Sequence, residues 1–262
     1  MIVLGIDIRI YFLLFILYAF MGWLIEVVGK LITLKKFINR GFLIGPICPI
    51  YGVGAILITF LLDKYIKDPI ALFVMAIFIC GILEYLTSYF MEKIFHARWW
   101  DYSKRKFNIN GRVCLNTIIP FGLLGMFIMY VSNPFFLNIL RNIPNLTLSI
   151  ISVIVLIVFI IDNIVSTNII SYLGKTTKEV AKDLDNTEEI TKKVKEILLG
   201  KSRLYRRLLN AYPTIHSIQG KVKEKQKEIK RQIDEQKKEI QDNITKQKKD
   251  IKNKIEDLKK RD

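Results

Sequence analysis

The sequence predicts an all-α protein, a polytopic membrane helix bundle of about five spans followed by a cytoplasmic helical tail that is expected to form a coiled coil. Three observations carry this expectation. Hydrophobic residues make up 51% of the 262 residues, yet they gather in nearly uncharged stretches between residues 10 and 172. The final portion is instead dominated by Lys, Glu, Asp and Gln. Within it the pattern of isoleucines repeats every eleven residues.

A helical span needs about 20 mostly apolar residues. Five segments approach or exceed that length: 10–28, 42–62, 69–91, 113–133 and 146–172. The first has little basic sequence before it, only Arg9, and no small-residue cleavage signature after it, so it is expected to be retained and not removed as a signal peptide. The second differs from the others because "NRGFLIGPICPIYGVG", Asn39 to Gly54, carries Gly41, Gly45, Gly52 and Gly54 with Pro46 and Pro49. A proline lacks an amide hydrogen and frees a carbonyl, and in hydrocarbon the freed groups need protein or a wet cavity. The break is therefore expected either to line a site or to be a kinked packing helix, and a re-entrant second segment is the main alternative to five full spans.

Orientation follows from Lys and Arg in the loops. The first loop carries Lys30, Lys35, Lys36 and Arg40, and the second only Lys64 and Lys67. The third carries Lys93, Arg98, Lys104, Arg105, Lys106 and Arg112, and the fourth only Arg141. The alternation places the N-terminus outside and the tail in the cytoplasm of a multi-pass cell-membrane protein. The lipid bilayer is thus one expected partner.

Ionisable groups inside spans are costly and point to function by default. Glu26, Glu84 and Asp162 with Asn163 all fall in the expected cytoplasmic half, as does the break. Glu84, Ser88 and Glu92 are spaced by four and form a strip on one helix face. Arg40 and Arg112 are the expected counter-charges. A structural ion pair and a substrate-binding role both remain open for them. The third loop, "HARWWDYSKRKFNINGRVCL", is expected either to anchor at the bilayer interface through Trp99, Trp100 and Tyr102, or to fold back over the cavity mouth with Asp101, Asn108 and Arg112.

"MGWLIEV", "NRGFLIGPICPIYGVG", Glu84, "WWDYS", "FNINGRVCL" and "LLNAYP" resemble the putative ABC-transporter type IV permease family, also called CmpB-like. The resemblance covers roughly residues 10–172, with a weaker continuation near 203–217. It singles out Gly22, Trp23, Glu26, Asn39, Arg40, Gly41, Gly45, Pro46, Pro49, Tyr51, Gly52, Glu84, Trp100, Asp101, Tyr102, Ser103, Asn108, Gly111 and Arg112. It implies a bacterial multi-span permease. No nucleotide-binding loop accompanies it: "GKTTKE" at Gly174 has Ile169 where a P-loop needs glycine. ATP-driven transport would require a separate ATPase subunit, and five spans are few for a pore, so self-association is expected.

The tail divides at Pro213. Residues 175–213 are expected to form amphipathic helices beyond a bundle of residues 1–174, with Asn186 and Glu189 in a capping arrangement. Residues 214–262 align in elevens, with Ile218, Ile229, Ile240 and Ile251 opening each repeat and Val222, Ile233, Ile244 and Ile255 four residues later. A period of eleven is about 3.67 residues per turn, and the two-residue seam fits a coiled coil, a solitary charged helix or a helix lying on anionic lipid.

The formal net charge of +16 is explained by basic residues flanking the spans and lining the tail, where an anionic leaflet attracts them, and no nucleic-acid motif accompanies it. Cys48, Cys80, Cys114, His96 and His216 show no metal-ligand spacing, so no metal or other cofactor is expected. No recognised catalytic spacing joins the carboxylates and arginines, which sets aside an intramembrane enzyme acting on lipid head groups. Two classes remain: a membrane component of a transport system, and a non-transporting scaffold or sensor acting through its tail.

Overall fold

The computed structural model describes residues 2–3, 5–95, 97–184, 187–212, 216–217, 228–238, 240–241 and 244. Helix α1 is Ile8–Leu34, capped by Asp7, whose side chain accepts from the Arg9 amide. It ends where Lys35 turns left-handed, at φ 53°. After a non-helical segment, α2 runs Pro49–Leu62 and α3 runs Pro69–Phe95. Proline at the first helical position of both loses no hydrogen bond, because that amide has no partner within the helix. Asp68 also receives the amides of Ile70 and Ala71 at the start of α3.

Helix α4, Leu115–Phe127, passes through a π-helical turn at Ile128–Ser132 into α5, Asn133–Arg141. Helix α6 is Asn145–Asp183, followed by α7, Thr187–Lys201, and α8, Arg203–Ala211.

Among the described residues, four helical stretches are long and apolar enough to cross a membrane: Ile8–Leu34, Pro69–Phe95, Leu115–Arg141 and Asn145–Asp183. The second of the five expected spans is not among them. The second candidate, 42–62, is helical over only its last 14 residues, or about 21 Å against a hydrocarbon core of about 30 Å. The physical reason lies in its residues, since Pro46 and Pro49 prevent a continuous ladder.

Packing orders the bundle. Tyr51 lies against Gly22, Gly52 against Phe15, and Phe60 stacks on Tyr11, so α2 runs antiparallel to α1. Gly122 and Gly125 bring α4 against Phe73 and Ala76 of α3. Arg9 donates to Ser149 and Asn145, joining the start of α1 to that of α6. On α6, Ile150, Ile154, Ile157, Ile161 and Ile164 remain exposed on one stripe, as a lipid-facing surface requires. The chain is an all-α multi-pass membrane protein.

Two apolar cores form. One joins α1–α6 at the end bearing the N-terminus, around Leu14, Tyr18, Ile58, Leu72 and Ala76. The other joins the far ends of α3 and α6 to α7 and α8, around Phe95, Trp99, Leu173, Ile190 and Leu208. Between them lies a layer containing Glu26, the break, Glu84 and Asp162. Helix α6 continues unbroken through residue 174 to Asp183, and Gly174 sits against the Phe95 backbone inside it.

The described tail residues 228–238 are helical, with Ile229 and Ile233 exposed. The expected cap at Asn186, the bend at Pro213 and most of the eleven-residue repeat lie outside the described residues, as does any test of coiled-coil pairing.

Candidate functional site

The non-helical segment 35–48 carries backbone groups that a helix would have paired, and the surrounding side chains take them up. The amides of Ile44 and Gly45 each donate to the Asp162 carboxylate at 2.9 Å. Ser166 receives the Ile44 amide at 3.1 Å and donates to Asp162 at 3.0 Å. Asn39 bridges the segment, accepting from Trp23 Nε1 at 2.7 Å and donating to the Ile44 carbonyl at 2.9 Å. From α8, Arg207 donates to the carbonyls of Gly41, at 2.7 Å, and Leu43. The Cys48 amide reaches the Ala19 carbonyl at 2.9 Å.

Beside this segment the polar groups converge. Tyr51 donates to Glu26 Oε1 at 2.8 Å, and Arg40 Nε stands 3.4 Å from Glu26 Oε2. Gly22 is required here, because a Cβ at that position would collide with the Tyr51 ring. Glu84 is 6% exposed and receives the Tyr102 hydroxyl at 3.3 Å. The Thr117 hydroxyl, which donates to the Cys114 carbonyl at 2.8 Å, stands 3.4 Å from the other Glu84 oxygen. The charges of Glu26 and Glu84 both act on the Tyr51 and Tyr102 hydroxyls. Burial, with the Glu84 charge adding to it, holds the Tyr102 hydroxyl well above its ordinary titration range. Tyr51 and Glu84 line a cavity of about 50 Å³ between α2, α3 and α4, enough for water but not for a solute.

The third loop folds back on the bundle. Asn108–Ile109 pairs with Val113–Cys114 as a hairpin whose turn places Asn110 and Gly111 at φ 52° and 66°. Gly111 suits this conformation, and a side chain there would also strike Asp101 and Ser103. Asp101 accepts from the Ser103 amide at 2.9 Å, and Asn108 accepts from the Gly111 amide at 2.9 Å. Trp100 Nε1 donates to the Arg112 carbonyl at 2.9 Å. Trp99 is 2% exposed among Phe42, Phe95 and Tyr212, so it is a core residue and not an interface anchor.

Arg112 pairs with Glu92 at 3.0 Å and lies over the rings of Tyr85 and Tyr89. Arg98 shares Glu92 at 2.9 Å. Arg40 and Arg112 therefore pair with Glu26 and Glu92, the latter a member of the expected α3 strip, and neither forms an ion pair with Glu84. The expected residues form two groups: Glu26, Asn39, Arg40, Tyr51, Glu84 and Tyr102 around the break, with Pro46 and Pro49 shaping it, and Trp100, Asp101, Asn108 and Arg112 fixing the loop.

Sequence reasoning missed the part played by α8. Tyr212 donates to the Arg40 carbonyl at 3.3 Å and carries the Arg40 guanidinium over its ring. Burial raises the Tyr212 hydroxyl above its ordinary range and lowers that of Arg207. "LLNAYP" marked Tyr212, but no sequence signal linked Arg207 to carbonyls more than 160 residues away.

A family model described as putative ABC-transporter type IV matches residues 13–167. No curated protein and no solved structure matches the chain.

Proposed function

Because the chain belongs to the putative ABC-transporter type IV family, whose model covers more than half its length, we propose that it is the membrane component of a transport system with a polar site at the helix break. The observation that carries this reading is the meeting of Glu26, Tyr51, Glu84 and Tyr102, from four separate segments, in one electrostatic unit beside irregular backbone. Irregular backbone at membrane depth is tolerated where protein buries it or where it lines a cavity, and transporters use it at substrate sites.

In this reading segment 35–48 and α2 together make a fifth crossing, half irregular and half helical. The N-terminus then lies outside and the tail in the cytoplasm, in line with the basic loops. Helix α8 closes the inner face of the break, and passage requires Arg207 to release Gly41 and Leu43. A separate ATPase subunit supplies the energy, and the bundle associates with a second copy. Residues 175–213 act as the docking element, and residues 214–262 as a coiled coil that reaches a partner.

The test is solute uptake, profiled by mass spectrometry, in vesicles from cells that express the chain with its ATPase. Wild type should accumulate at least one solute that Glu84→Gln does not. Identical profiles for wild type, Glu84→Gln and empty vesicles would overturn transport.

A second reading, a scaffold or sensor, is favoured by the small cavity at Glu84 and by the hydrogen bonds that Asp162 and Arg207 make to the break. It requires that removing residues 214–262 abolish function while Glu84→Gln is tolerated.

A further inference from the structure

At the opposite end of the bundle from the break lies a cavity of about 840 Å³, between the start of α1, the end of α2 and α5. That volume is within the roughly 300–1,000 Å³ of small-molecule sites, unlike the cavity at Glu84. Its wall is the stacked pair Tyr11 and Phe60, with ring centroids 4.5 Å apart. Asp63, Lys64 and Arg141 stand at its rim, and none of the three makes an ion pair among the described residues. Asp63 and Arg141 line the same cavity as Tyr11 and Phe60, so opposite signs border one aromatic wall.

The floor is polar. Asn133, 4% exposed, donates to Thr59 at 2.8 Å and accepts from Tyr18 at 2.6 Å. Its carbonyl oxygen retains a second lone pair for a ligand.

We propose that this vestibule binds a zwitterionic solute with an apolar body, of the size of a short peptide. Asp63 would take the ammonium, Arg141 and Lys64 the carboxylate, and Tyr11 with Phe60 the apolar body. The Asn133 amide would accept a donor at the inner end. A lipid fits less well, because a head group at the rim would drive its acyl chain against the amide floor. The site does not depend on the break acting in transport, since its occupancy is measured without any flux.

The test is calorimetric titration of the full chain, in lipid-free detergent micelles, with a panel of di- and tripeptides bearing apolar side chains. Each peptide is compared with its N-acetyl and C-amide forms. At least one free peptide should bind saturably, with each blocked form at least tenfold weaker. Asp63→Asn should erase discrimination against the acetylated form, and Arg141→Gln discrimination against the amide. Because these are ratios within one protein sample, partial unfolding does not mimic them. Absence of binding across the panel, equal binding of free and blocked forms, or a retained phospholipid that excludes the peptides would each overturn the proposal.

Discussion

The helix break and the vestibule at the other end of the bundle treat charge in opposite ways. At the break, Asp162 accepts from two amides and a hydroxyl, Arg207 donates through Nη2 to two carbonyls, and Glu26 meets Arg40 and Tyr51, while beside it Glu92 pairs with two arginines. At the end bearing the N-terminus, Asp63, Lys64 and Arg141 surround open space with no ion-pair partner among the described residues. Buried polar groups that are paired specify a conformation, whereas charges without an ion-pair partner around a cavity are free to meet a ligand. The difference teaches that the break is first of all a built structure, and any function there requires dismantling contacts that now hold it.

Substitutions sharpen this contrast, and their effects on stability should descend in a definite order. Asp162→Ala should cost the most, about 4 kcal/mol, because it strands the Gly45 amide at about 1–3 kcal/mol and removes the charge-assisted bonds from the Ile44 amide, which keeps Ser166, and from the Ser166 hydroxyl, worth about 1.5–3 kcal/mol each at most. Reversible unfolding in mixed micelles measures it, and a loss under 1 kcal/mol would mean that water replaces the carboxylate. Arg112→Gln should cost about 3 kcal/mol by the same measurement, since Glu92 would keep only Arg98 as a cation. An unchanged midpoint would show that Arg98 suffices.

Arg207→Ala should cost about 2 kcal/mol through two lost charge-assisted bonds, and should expose α8 to limited proteolysis. Unaltered cleavage would separate α8 from the break. Asp63→Asn should shift stability by less than about 0.5 kcal/mol, as expected of an exposed group with no partner. A large loss there would place the vestibule among the structural features and dissolve the comparison.

Much of the fold was legible because the governing signals are local. Long apolar runs with charged flanks mark α1, α3 and α6, and Pro46 with Pro49 marks the interruption before α2. The Asn110–Gly111 pair, a hairpin-turn signal, was also present but was overshadowed by the aromatic residues around it. Glu26, Arg40, Tyr51 and Glu84 were legible as costly residues in apolar surroundings. Their partners were not, because Tyr51 meets Glu26 and Tyr102 meets Glu84 through helix and loop packing that spacing does not encode. Asp162 was visible as an intramembrane acid, yet its partners are backbone amides, which every residue but proline carries and no side-chain pattern reveals. The role of Arg207 depends on α8 docking across the bundle, a tertiary fact with no periodic trace.

Asp162 and Arg207 pin the helix break to α6 and α8. Hydrogen–deuterium exchange of the peptide spanning residues 41–48, in lipid nanodiscs, tests this pinning most directly. Exchange should be slow at Ile44 and Gly45 in the wild type, and at least tenfold faster in Arg207→Ala. Fast exchange already in the wild type, or identical rates in the two proteins, would contradict it.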